Sequence, residues 1–98
     1  MRRGTTPTHT FTLPFDAEKV SGLSITYVQA GSKVLRKTET DVTIAGNTVT
    51  LKLTQAETLK FDTREMVEIQ LKIRVGTDVL VSDIWRVASL RCLDEEEL

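Results

Sequence analysis

The sequence predicts an all-β domain, an immunoglobulin-like antiparallel β-sandwich of about seven strands with one short helical crossover. The clearest observation is the alternation over residues 67–75, which places branched apolar side chains on one face of a strand and polar side chains on the other. The apolar set is Val67, Ile69, Leu71, Ile73 and Val75. Turn residues recur roughly every 8 to 12 positions, as in sandwiches. A small open barrel is the alternative, because strand patterns do not separate it from a sandwich.

Composition bounds the size, the compartment and the partners of the protein. Its 98 residues are 40% hydrophobic and 28% charged, which suits one ordinary globular domain. We divide it into a flexible N-terminal arm (residues 1–7), a sandwich (residues 8–91) and an acidic tail (residues 92–98). Thirteen basic and fourteen acidic side chains give a net charge of −1, so neither nucleic acid nor acidic membrane is an expected partner.

No stretch of the chain approaches the roughly 20 consecutive apolar residues of a membrane span. Arg2 and Arg3 are not followed by the apolar segment of an export signal. We therefore expect a protein that is cytoplasmic as synthesised and that joins a virion later if it is a particle component.

Short alternating runs predict the first two strands. Residues 8–13 alternate threonines with His9, Phe11 and Leu13, and the proline that follows ends this strand because it has no N–H to donate. Residues 22–30 alternate in the same way and form the second strand.

The third predicted strand, residues 33–38, has the composition of a sheet edge. Its basic side chains discourage pairing with other chains, which is how natural edge strands avoid aggregation. These side chains, Lys33, Arg36 and Lys37, are candidate contact residues.

The next hairpin has a register that the sequence specifies. Gly46 and Asn47 tolerate the positive φ of a two-residue turn, and such a turn brings apolar residues opposite each other on one face. The predicted pairs are Ile44 with Val49 and Val42 with Leu51.

A capping box at Thr54 and Glu57 predicts a helix of one or two turns that ends near Lys60. Because so short a helix is unstable alone, we expect Leu59 and Phe61 to pack into the sheets.

The last two runs form a long hairpin over residues 66–90. We predict a three-residue loop at residues 76–78, because a two-residue loop would place polar side chains on the apolar face. The predicted pairs are Val75 with Val79, Ile73 with Val81, Ile69 with Trp85 and Val67 with Val87.

This register leaves Asp83 opposite Leu71, and a β-bulge near Ser82 and Asp83 would turn the carboxylate outward. If that bulge forms, two residues are expected to replace Trp85 in the core, Ile84 and Leu90.

The sequence offers no reaction chemistry, and we predict neither enzymatic activity nor a cofactor. His9 and Cys92 are single residues of their types, which is too few for a zinc site. The nearest carboxylate pairs lie in loops or on a polar strand face, where we expect solvated surface side chains and not the cleft that acid–base catalysis needs. These pairs are Asp16 with Glu18 and Glu65 with Glu68.

Aromatic residues raise the question of carbohydrate binding, since sugar rings stack on exposed aromatic side chains. Tyr27 and Trp85 are the two candidates, although we expect Trp85 to pack inside, which makes a sugar-binding platform the minority interpretation. The three phenylalanines are interpreted as core or core-rim residues, namely Phe11, Phe15 and Phe61.

Three segments carry a family resemblance: THTFTLPFD, ITYVQAGSKVLRKTETDVTIAGNTVTLKLTQAETLKF and VEIQLKIRVGTDVLVSDIWRV. Their order resembles small proteins of phages and prophages of gut-type Gram-positive bacteria. Their layout is also similar to the amino-terminal β-sandwich of upper baseplate proteins of tailed phages. The resemblance covers residues 8–91 and assigns no site residues.

The resemblance implies a non-enzymatic structural or assembly module whose partners are other virion proteins or a second copy of itself. Three segments are candidate contact surfaces: residues 1–13, residues 33–38 and residues 91–98. The alternative function is a small carbohydrate-binding module, which would use Tyr27 or Trp85 against a glycan.

Overall fold

The computed structural model describes residues 1–98 and contains two antiparallel sheets. The strands are β1 (Thr8–Thr12), β2 (Val20–Gln29), β3 (Ser32–Thr38), β4 (Thr43–Ala45), β5 (Thr48–Lys52), β6 (Val67–Val75), β7 (Asp78–Val81) and β8 (Trp85–Val87). The single α-helix is α1 (Gln55–Thr58), and two 3₁₀ turns cover Ala17–Lys19 and Glu39–Asp41.

The strand order confirms the predicted immunoglobulin-like sandwich. One sheet has the order β1-β5-β4 and the other has the order β3-β2-β6-β7, with β8 continuing along β6 beyond β7. These orders correspond to strands BED and C′CFG of immunoglobulin domains. No ladder joins an edge of one sheet to an edge of the other, so the open-barrel alternative is wrong.

The core lies between the two sheets and is built from the inward face of each alternating strand. Strand β6 buries four of its five predicted apolar residues, and only Val75 at its end is partly exposed. The other sheet contributes residues of β1 and β5, above all Val49 and Leu51, which are fully or almost fully buried. Fifteen hydrophobic residues form one contiguous buried cluster, so the fold has a single core.

The β4–β5 hairpin has the predicted two-residue turn. Gly46 has a φ of 58°, and Ile44 pairs with Val49. The other predicted pair, Val42 with Leu51, does not form, because the ladder ends at Thr43 and Thr50. Val42 packs against the core from outside the ladder.

The turn between β6 and β7 differs from the prediction. It contains two residues, since Val75 pairs with Asp78 and Ile73 pairs with Leu80. Gly76 supplies the positive φ, 61°, that such a tight turn requires. The prediction of a three-residue loop was therefore wrong, and so were the predicted pairs of Val75 with Val79 and of Ile73 with Val81. The shorter turn places Val79 and Val81 on the outer face of the sheet, where apolar side chains were not expected.

Further along the hairpin the predicted register returns, with Ile69 opposite Trp85 and Val67 opposite Val87. The pairing therefore shifts by one residue between β7 and β8, at the predicted bulge. Ser82 anchors this bulge: its N–H donates to the Leu71 carbonyl (2.8 Å), and its hydroxyl oxygen accepts from the Leu71 N–H (3.0 Å).

Asp83 is consequently exposed, as the bulge was expected to make it. The expectation that two other residues would replace Trp85 in the core was wrong, because Ile84 and Leu90 are both more than 40% exposed.

The crossover between the sheets starts at the predicted capping box. The Thr54 hydroxyl accepts from the Glu57 N–H (3.2 Å), and the Glu57 carboxylate accepts from the Thr54 N–H (2.8 Å). Helix α1 makes one turn, after which Phe61 is buried as predicted and Leu59 is only half-buried.

Buried Gln29 holds the loop that follows. Its amide nitrogen donates to the Asp62 carbonyl (2.6 Å) and the Glu65 carbonyl (3.0 Å), and its oxygen accepts from the Asp62 N–H (2.7 Å). These bonds attach the crossover to β2.

The N-terminal arm, expected to be a flexible lead-in that could order against a neighbour, is paired with the C-terminal segment. The Met1 carbonyl accepts from the Leu90 N–H (2.7 Å), the Arg3 N–H donates to the Leu90 carbonyl (3.0 Å), and Arg2 forms a parallel bridge to Leu90. Arg3 also forms an ion pair with Glu95 of the acidic tail. The two ends of the chain therefore lie together.

Candidate interaction surface

Tyr27 is a core residue, which removes it from the candidate contact residues. Its side chain is fully buried, packs against Phe61 with ring centroids 5.9 Å apart, and forms a hydrogen bond of 2.7 Å with His9 Nδ1 across the two sheets. Burial, with a smaller contribution from the charge of Glu57, raises the Tyr27 pKa well above its ordinary value. Burial and the N-terminal ammonium lower the pKa of His9. The pair is therefore a neutral structural contact.

Trp85 lies where β8 faces the edge of the other sheet. Its ring packs on Phe11 with centroids 5.2 Å apart at an interplanar angle of 52°, and 42% of the residue remains exposed. The tryptophan is thus held in place from one side and accessible from the other.

The β3 edge carries the predicted basic side chains, but one of them is not free. Lys33 and Arg36 are exposed, whereas Lys37 forms an ion pair with Glu57 in which both side chains are mostly buried. This pair joins the edge of the five-stranded sheet to α1. Although burial acts to raise the Glu57 pKa, hydrogen bonds from Lys37 and the Thr54 N–H lower it overall.

Arg36 also borders a shallow depression of about 440 Å³ on the outer face of the five-stranded sheet. Lys72 and Arg74 lie beside it, and none of these three cations has a salt-bridge partner. Glu39 occupies the same depression and accepts from the Leu23 N–H (3.3 Å). The depression is therefore polar and of mixed charge.

The opposite edge of the same sheet is apolar and exposed. Val79 is 50% exposed, Leu80 is 47% exposed and Val81 is 61% exposed, and no charged residue lies between Asp78 and Asp83. We call this segment, residues 79–81 together with Ile84 and Trp85, the apolar edge. Sequence reasoning missed it, because the longer loop assigned alternate residues of this run to the core.

Next to the apolar edge the two sheets separate into a groove of about 220 Å³. Eight of its eleven lining residues are hydrophobic, and Phe11, Phe15, Leu80 and Trp85 are among them. Apart from the indole N–H of Trp85, the polar side-chain groups on its wall are the hydroxyls of Thr12 and Ser82. Such a lining suits an apolar side chain and offers few hydrogen bonds to a polar ligand.

The structure contains no group of three or more His, Cys, Asp or Glu residues arranged to hold a metal ion. The carboxylate with the most strongly lowered pKa, Asp62 at about 2, accepts hydrogen bonds from Arg64 two residues away in an exposed turn. Local ion pairs of this kind shift a pKa without a catalytic role. None of the helices is long and apolar enough to cross a membrane.

The fold and this surface define the chain as an immunoglobulin-like β-sandwich whose larger sheet has one charged and one apolar edge. Comparisons with protein-family models, with curated proteins and with solved structures found no significant match to it.

Proposed function

We propose that this chain is a non-enzymatic structural or assembly module of a phage or prophage particle and that it acts through protein–protein contacts. The observation that carries the proposal is the apolar edge, where three consecutive hydrophobic residues of β7 are about half exposed or more beside an accessible tryptophan. Contiguous apolar surface of this kind marks interaction sites.

The edge also offers backbone groups to a partner. Strand β7 is the last strand of its sheet, so one side of its backbone has no neighbour in the chain. Natural proteins protect such edges with charges, prolines or bulges, and β7 has none of these along residues 79–81. A partner strand would gain main-chain hydrogen bonds here together with apolar contacts.

The assignment to a phage particle is supported by the resemblance of residues 8–91 to phage and prophage proteins and to the layout of upper baseplate domains. A rigid sandwich whose two termini are held together is suited to a repeated position in a tail or baseplate, since its contact surface keeps one orientation relative to the chain ends.

Mass spectrometry of purified particles tests this function. We expect the chain at a fixed copy number relative to the tail proteins in particles released after induction of the prophage that encodes it. A chain that is expressed in the same cells but absent from the particles would contradict the proposal.

A small carbohydrate-binding module is the second candidate, and the exposure of Trp85 is the observation that favours it. Because Trp85 is the only tryptophan, its fluorescence reports directly on this position. A glycan that stacks on the ring should shift the emission and should lose affinity in Trp85→Ala. An unchanged spectrum on titration with cell-wall glycans would exclude the candidate. The scarcity of polar side chains in the groove favours a protein partner.

A further inference from the structure

We propose that β7 pairs antiparallel with β7 of a second copy of this chain, which joins the two larger sheets into one. This inference rests on the proposed function, because it names the partner that the apolar edge accepts. It is carried by the backbone pattern of β7, by the register that self-pairing allows and by the contrast with β3.

The backbone pattern shows which groups of β7 are free. In an antiparallel ladder, hydrogen-bonded residues alternate with residues whose N–H and C=O point to the other side. Ser82 donates its N–H to Leu71 across the ladder, and Leu80, two residues earlier, has the same orientation. Val79 and Val81 therefore direct their N–H and C=O groups away from β6, into an edge that no other strand of the chain covers.

One register matches these free groups on both copies. If Val79 lies opposite Val81 of the second copy, the reverse pair forms by symmetry and a two-fold axis passes next to Leu80. Asp78 then lies opposite Ser82 of the second copy, and Thr77 lies opposite Asp83. No carboxylate faces a carboxylate, so the charges that flank the apolar edge do not oppose this pairing.

The same register buries the exposed apolar side chains. Leu80 of each copy meets the other at the axis, on the side of the sheet that carries the groove. Val79 and Val81 of the two copies form a cluster of four valines on the opposite side. The two-fold axis runs perpendicular to the sheet, so both three-stranded sheets lie on one side and the two grooves with their Phe11 and Trp85 rings are brought towards each other.

Edge β3 cannot form the equivalent contact. Lys33 and Arg36 would bring cations of the two copies close together, and Lys37 is already paired with Glu57. Of the two edges of the larger sheet, only β7 suits self-pairing, and one self-complementary contact of this kind gives a closed dimer rather than a filament.

Light scattering over a range of concentrations tests the association. The mass of the wild-type protein should rise from 11.0 kDa towards twice that value. Val81→Lys should weaken the dimer at least tenfold, because the lysines of both copies enter the pairing. Met66→Lys is the matched control, since Met66 is similarly exposed at 49% and lies outside the edge. A wild-type protein that stays monomeric, or a Val81→Lys protein that dimerises normally, would overturn the proposal.

Disulfide trapping tests the register independently. The axis makes Leu80 its own partner in a non-hydrogen-bonded pair, where Cα atoms are about 4.5 Å apart and a disulfide can form. In a Cys92→Ser background, Leu80→Cys should cross-link into a covalent dimer under mild oxidation, whereas Val79→Cys, displaced by two residues from its own copy, should not. Cross-linking through residue 79 but not through residue 80 would overturn the pairing.

These experiments separate the inference from the function on which it rests. A monomeric protein found in purified particles would leave the proposed function intact and remove the β7 dimer. A β7-linked dimer absent from particles would support the β7 pairing and contradict the proposed function.

Discussion

The two edge strands of the five-stranded sheet both have unpaired backbone N–H and C=O groups, but their side chains differ. Strand β3 ends the sheet with exposed Lys33 and Arg36, and the Lys37–Glu57 ion pair connects it to α1. Strand β7 ends the sheet with three exposed apolar residues beside an open groove. An edge that carries charge resists pairing with other chains, whereas an exposed apolar edge offers them a template. The difference supports the proposal that β7 is the edge used for assembly.

The largest expected effect comes from a core residue near the centre of the sheet that these two edges bound. Ile25 is fully buried in β2, between β3 and β6. Ile25→Ala should lower the free energy of unfolding by about 3 kcal/mol, because it deletes buried methylene groups and leaves a cavity. Val79→Ala, measured at a dilution where the protein is monomeric, should change it by no more than about 0.5 kcal/mol. Denaturant unfolding gives both values. Equal losses would mean that β7 belongs to the core.

The second prediction converts the protected edge into an unprotected one. Replacing Lys33 and Arg36 with valine should give β3 an apolar edge, so light scattering should detect species larger than a dimer at concentrations where the wild-type protein shows none. The control replaces Lys19 and Lys60, which are exposed outside both edges, with valine and changes the net charge equally. If both double variants associate alike, net charge and not edge chemistry is responsible.

The third prediction concerns the connection between β3 and α1. Glu57→Gln keeps the capping box, which accepts glutamine, but removes the charge that Lys37 meets. We expect a loss of about 1 kcal/mol at neutral pH, because the pair is mostly shielded from solvent. Glu68→Gln is the comparison, since its ion pair with Arg86 (3.2 Å) is more exposed and should contribute close to nothing.

The pH dependence of the same pair has a defined sign. The Glu57 pKa is lowered in the folded protein, so its contribution is fully present above the ordinary value of 4.5 and is lost as the pH falls through the folded value. Glu57→Gln should therefore flatten the acid side of the stability profile. An unchanged acid limb would show that Lys37 does not stabilise the ionised carboxylate.

The smallest effect is expected at the hydrogen bond between His9 and Tyr27, which joins the two sheets and involves neither β3 nor β7. Burial lowers the His9 pKa from 6.5, so below pH 6.5 the unfolded chain binds protons that the folded chain does not. The His9 contribution should therefore be complete above pH 6.5 and decline as the pH falls towards the folded value. His9→Gln should reduce the slope of unfolding free energy against pH in this interval. Retention of the wild-type slope would mean that His9 titrates normally in the fold.

Much of the fold could be predicted because its determinants are local. The alternation in β6 specified which side chains are buried, the Gly46–Asn47 turn specified the β4–β5 register, and the fragment from Thr54 to Glu57 specified where α1 begins. Asp83 indicated a bulge, since a carboxylate at an inward position of a strand is unfavourable and the chain had to turn it outward.

The candidate site was predicted only in part, because it depends on lateral neighbours. Trp85 was expected to pack inside and is 42% exposed, whereas Tyr27 has the same alternating context in β2 and is buried, since Phe61 and His9 from other segments cover it. The apolar edge was not predicted, because one residue fewer in the β6–β7 turn moves the side chains of β7 to the other face.

The sequence by itself determined which residues are extended, which face of each strand is apolar and where most turns occur, because these properties depend on residues a few positions apart. Only the tertiary structure decided which edge of the larger sheet stays open, that the two termini pair and that Tyr27 rather than Trp85 is enclosed. Those outcomes depend on contacts between segments distant in the chain, and a local pattern of side chains does not encode which segment will lie beside it.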